Sequence, residues 1–74
     1  MVKRNFTVIL EKEDDGYVSF CSELDIASQG YSIEEAKANV KEAVELFFET
    51  ASESEILDRI YGDIYISNME VMVG

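Results

Sequence analysis

Carboxylates dominate the side chains in this 74-residue sequence that could do chemistry. Sixteen Asp and Glu stand against six Lys and Arg, a formal net charge of −10. Six of the acids fall where the chain turns or a helix begins: Asp14, Asp15, Glu23, Asp25, Glu34 and Glu35. Acids so placed would draw in a cationic protein surface, because complementary fields steer encounter. They would repel phosphate backbones, which argues against direct DNA or RNA binding by this chain. The same charge also keeps a small domain in solution without any client. No histidine is present, so the commonest zinc ligand and the commonest general base are both missing. The one cysteine, Cys21, cannot close an intrachain bridge. No basic residue stands near it in sequence to lower its pKa, so it reads as a structural thiol. No catalytic residue, metal or cofactor is expected.

The elements that must position these acids follow from periodicity. Residues Asn5 to Glu11 alternate as a strand, with Phe6, Val8 and Leu10 on one face and Thr7, Ile9 and Glu11 on the other. Apolar residues on both faces mark a central strand. Asp15-Gly16 signals a hairpin, glycine reaching positive φ without steric cost. Tyr17 to Cys21 is the return strand. After a polar loop, Ser22 to Asp25, residues Ile26 to Gly30 make a third, edge strand. Ser32 and Glu35 form a capping box. From there Ile33, Ala36, Val40, Ala43, Val44, Phe47 and Ala51 recur at helical spacing, one apolar stripe about five turns long. Glu34, Lys37, Lys41, Glu42, Glu45 and Glu49 take the opposite, solvated face. Glu45, Glu49, Glu53 and Glu55 crowd the end of that helix, where the dipole disfavours negative charge by about 0.3–1 kcal/mol each. Ser52 with Glu55 repeats the cap spacing before a two-turn helix ending at Gly62. Asp63 to Val73 reads as a last strand whose alternation changes phase, so a bulge near Ser67-Asn68 is expected.

The order predicts an α+β fold: a three-stranded antiparallel meander, one long helix packed on the sheet, and a last strand parallel to the first. Residues 1–74 form a single domain. A chain of this length buries only about 60% of its unfolded surface. Such a core rarely supplies more than roughly 3–5 kcal/mol without disulfides, a metal or a partner subunit. The first two are missing, so a homodimer or higher homo-oligomer is expected, with Ile9, Tyr17, Phe48, Tyr61, Tyr65 and Met69 as its interface. No segment has the length of a membrane span or the pattern of a signal peptide, so no membrane association and a cytoplasmic location are expected.

The succession Phe6-Thr7-Val8-Ile9-Leu10, then Asp15-Gly16-Tyr17-Val18-Ser19-Phe20-Cys21-Ser22-Glu23-Leu24, then Ala27-Ser28-Gln29-Gly30-Tyr31-Ser32-Ile33-Glu34-Glu35-Ala36 followed by Asn39-Val40-Lys41-Glu42-Ala43, closely resembles the HicB (UPF0150) family. The likeness runs from residue 5 to about residue 50. It implies a partial RNase H-like β-β-β-α-β fold and an antitoxin role. HicB proteins bind and block HicA toxins, small basic ribonucleases of double-stranded-RNA-binding shape. The family often carries prolines where this chain has Ser22 and Asp25, which touches loop rigidity and not the fold. Many members continue into a DNA-binding domain, whereas this chain resembles the short, stand-alone HicB-like proteins.

Two other functions compete with the antitoxin. An orphan homo-oligomeric scaffold would have the same acidic surface and no toxin. An RNase H-like nuclease would need carboxylates converging on two metal ions. Yet the centre of the first strand holds Val8 and Ile9, Glu11 lies at its end, and Glu70 is a lone candidate on the last strand. Under the antitoxin reading, Asp14, Asp15, Glu23, Asp25, Glu34 and Glu35 meet the toxin. Lysine at Asp14 or Glu23 should then slow binding and leave the fold intact.

Overall fold

The structure, a computed structural model, describes residues 4–60 and 64–74. Three strands, β1 (Val8–Glu13), β2 (Gly16–Cys21) and β3 (Ile26–Gly30), form an antiparallel sheet in the order β1-β2-β3. The register pairs Val8 with Cys21, Leu10 with Ser19 and Glu13 with Gly16, then Cys21 with Ile26 and Tyr17 with Gly30. The sheet therefore has a hairpin end, at Asp14-Asp15, and a loop end, at Ser22 to Asp25.

Helix α1 (Ile33–Thr50) covers the face that carries Val8, Leu10, Ser19, Cys21 and Ile26, and α2 (Glu53–Ile60) follows it. Both helices start as the cap spacing dictates. The Glu35 amide donates to the Ser32 hydroxyl at 3.0 Å, and the Glu55 amide to the Ser52 hydroxyl at 3.2 Å. The Glu35 carboxylate reaches the amide of Tyr31 at 3.1 Å, one residue before the cap. Glu53 and Glu55 occupy the first turn of α2, where the helix dipole favours negative charge.

The buried core joins Cys21, Leu24, Ala36 and Val40, with Phe6, Val8, Ile26, Val44 and Phe47 packed around it. Small residues on β2 let the helix approach: Ser19 is fully buried and its hydroxyl donates to the Ala36 carbonyl at 2.7 Å. Leu24, in the loop that reads as polar, is the largest fully buried side chain. Its burial contributes about 1.5–3 kcal/mol. Arg59 of α2 donates to the Leu24 carbonyl and lies 4.7 Å from the centre of the Phe47 ring, which ties α2 to that loop.

The expected last strand is not formed among the described residues. Asp63 lies outside the described residues, and residues 64–74 join no sheet and are exposed throughout. Among the described residues the sheet has three strands, so a fourth strand parallel to β1 is not seen there, and the bulge expected at Ser67-Asn68 has no ladder to interrupt. The physical reason is that alternation makes a segment competent to be a strand, but pairing needs a partner edge within reach. The Cα radius of gyration, 14.6 Å, exceeds the roughly 11 Å of a compact chain of this length.

Candidate functional site

The β1–β2 turn is built from two acids. β1 ends at Glu13 and β2 begins at Gly16, leaving Asp14-Asp15 between them. Asp14 takes the left-handed conformation (φ 50°), a region in which Asp is enriched over most other residues. Gly16 does not need positive φ; it is required by proximity. A Cβ there would lie 2.7 Å from the Gly30 carbonyl oxygen. Gly30 is tighter still, since a Cβ would lie 2.5 Å from the Ala36 amide nitrogen. These two glycines let the hairpin, the end of β3 and the N-terminus of α1 close on one another.

That closure makes a groove of about 590 Å³ between the hairpin and the start of α1. Glu13, Asp14, Asp15 and Glu35 rim it, with Tyr17 and Tyr31 in its wall. Asn39 anchors the far side by donating to the Gln29 carbonyl at 2.7 Å. Asp14 and Asp15 are exposed and make no hydrogen bond to described residues, whereas Glu35 is half engaged by the Tyr31 amide. The groove offers carboxylate acceptors beside two phenol rings. Arginine and lysine side chains bind such a surface through charge-assisted hydrogen bonds and cation–π contact.

The six acids singled out in the sequence divide three ways. Asp14, Asp15 and Glu35 share the groove. Glu34 lies on the other flank of α1, beside Lys37 and Lys41. Glu23 and Asp25 sit at the loop end of the sheet. Asp25 is exposed and left-handed (φ 55°), a turn residue. Glu23 accepts the Thr7 amide with both oxygens, at 2.8 and 2.9 Å, and lies 4.0 Å from the Cys21 sulfur. Burial works against its charge, but the Thr7 amide outweighs it and holds the carboxyl below the usual glutamate range. Glu23 is thus a clamp between the β2–β3 loop and the entry to β1, and lysine there would break the clamp. Burial also pushes the Cys21 thiol up, against a bond from the Leu24 backbone, and the Glu23 charge adds to the rise. The thiol stays protonated and inert.

Glu13, Tyr31 and Asn39 belong to the groove but were not among the expected site residues. Glu13 adjoins the turn acids, and Asn39 stands one helical turn beyond Glu35; those spacings were the available signal. Tyr17, expected at an oligomer interface, lines the groove and is half-buried. Phe48 packs at 5.9 Å on Phe6 and 5.5 Å on Phe47. Ile9, Tyr65 and Met69 are exposed, and Tyr61 lies outside the described residues. Among the described residues, no three His, Cys, Asp or Glu side chains gather as metal ligands would. Nor is any helix long and apolar enough to cross a membrane.

Fold and groove together define a small α+β domain, a three-stranded antiparallel sheet with two helices and an acid-rimmed hairpin end. The chain is similar to UPF0150 protein ssr1765 of Synechocystis sp. (strain ATCC 27184 / PCC 6803 / Kazusa), with 52% identity over 48 residues, covering 62% of this chain and 61% of that protein. It spans about three fifths of that relative's length. No protein-family model matches the chain, and no solved structure matches it.

Proposed function

We propose that this protein is a HicB-like antitoxin that binds a small basic HicA-type ribonuclease and blocks it, acting by binding and not by catalysis. The observation that carries the reading is the groove at the hairpin end. There Glu13, Asp14 and Asp15 are exposed beside Glu35, Tyr17 and Tyr31. A ribonuclease that holds RNA through cationic side chains presents the matching surface, so antitoxin and RNA compete for one face. The UPF0150 likeness and the net charge of −10 support the same reading. Mixing the protein with a HicA-type ribonuclease and following RNA cleavage tests it. Cleavage should stop near one-to-one stoichiometry; undiminished cleavage at several-fold excess rejects the antitoxin role.

A further inference from the structure

Residues 64–74 join no sheet in their own chain and are exposed, Ile64 least so of their large apolar side chains at 43%. Tyr65, Met69, Met72 and Val73 are each at least 88% exposed, and Ile66 and Val71 each 62%. Eleven residues rich in Ile, Val and Met would span the six residues of β1 with length to spare. Such a segment in water, pairing with nothing, is a strand awaiting an edge.

The sheet offers two edges, and they differ. Beside β3, α1 packs closely, and the Asn39 amide occupies the Gln29 carbonyl at 2.7 Å. Beside β1, α1 overhangs and leaves an apolar crevice of about 450 Å³ lined by Phe6, Val8, Cys21, Val40 and Val44. Lys37 and Lys41 stand on its rim, with Glu34 next to them. A second hollow continues it past Phe6 and Val44 to Phe48 and Ile60, with Arg4 at its edge and Glu45 opposite. Half of the six cations in the sequence, Arg4, Lys37 and Lys41, therefore border this edge. The single charged side chain among residues 64–74 is Glu70.

From the juxtaposition of an unpaired apolar segment with an unpaired edge above an apolar crevice, we infer that residues 64–74 of a second copy add as a strand to β1. Alternate side chains fill the crevice under α1, and Glu70 lies among Lys37, Lys41 and Arg4. The exchange is reciprocal, so a pair of chains closes with no free segment left over. It completes the four-stranded sheet that the sequence pattern calls for, with the fourth strand drawn from the partner. This inference does not depend on the antitoxin reading.

Light scattering of the full chain at micromolar concentration should give twice 8.4 kDa or a multiple of that. Glu70→Pro and Val71→Pro test the ladder as a pair. Neighbouring residues of a strand send their amides to opposite sides, so one of the two must remove a bond to β1. At least one variant should fall to 8.4 kDa with its far-ultraviolet circular dichroism retained, since the segment belongs to no strand or helix of its own chain. In a mixture of isotope-labelled and unlabelled protein, nuclear Overhauser contacts between residues 64–74 and β1 should join different chains. A wild-type monomer, two proline variants that stay oligomeric, or contacts confined to one chain would each overturn the inference.

Discussion

Both ends of the sheet carry acids, Glu13, Asp14 and Asp15 at the hairpin end and Glu23 and Asp25 at the loop end, and the fold uses them differently. At the loop end, Glu23 is spent inside the molecule on the Thr7 amide, and Leu24 beside it anchors the core. At the hairpin end, Glu13, Asp14 and Asp15 face solvent around a groove whose walls the glycines allow to approach. Charge alone therefore does not mark a binding surface. Under the proposed function, what would mark it is charge that the fold leaves unengaged above closely approaching backbone.

The largest effect is expected where the hairpin end is held together. Gly30→Ala puts a methyl 2.5 Å from the Ala36 amide nitrogen, so backbone must move. Forced overpacking of this kind costs about 1–3 kcal/mol or more. Against a margin of roughly 3–5 kcal/mol for so small a core, thermal unfolding should shift far downward. A variant melting with the wild type would show that the groove does not rest on this contact.

Glu23→Gln comes next. It removes a charged acceptor of the Thr7 amide, at a cost of about 1.5–3 kcal/mol, or about 4–8 °C in melting temperature for each kcal/mol. The clamp also has a pH signature. The folded-state carboxyl is held down, so its contribution is present above the ordinary glutamate range and is lost as pH falls through the folded-state value. Urea unfolding should show the wild type and Glu23→Gln converging in acid and separated at neutral pH. A constant gap would assign the loss to packing.

Ser32→Ala should cost about 1 kcal/mol by freeing the Glu35 amide. Because Glu35 also rims the groove, this variant separates capping from binding. Toxin affinity should be unchanged once the chain is folded, and a large loss of affinity at unaltered stability would make Ser32 a binding residue.

Much of this architecture was legible in the residues. Val8 and Leu10 alternate with Ile9 and Glu11 as the two sheet faces do, and Ser32 and Ser52 announce both helices. Leu24 was hidden because three polar neighbours surround it, and single-residue burial leaves no period to read. The hairpin was legible but its mechanism was not: Asp14 takes the positive φ, and Gly16 yields room to Gly30. Asp63 to Val73 read as a strand from alternation alone, yet pairing is a property of two segments. The groove was half visible. Asp14, Asp15 and Glu35 meet because register brings Tyr17 opposite Gly30, a long-range fact that local spacing does not carry.

The comparison of the two ends is tested most directly by the rate of toxin association. Lysine at Asp14 would strain a left-handed residue, so the informative variant is the double change Glu13→Lys with Asp15→Lys, which spares that position. These exposed substitutions should alter stability by less than about 0.5 kcal/mol. Stopped-flow mixing with a basic HicA-type ribonuclease should show association slowed by about tenfold or more at low salt, with a flattened dependence on ionic strength. An association rate and salt dependence equal to the wild type's would contradict the assignment of the hairpin end as the docking surface.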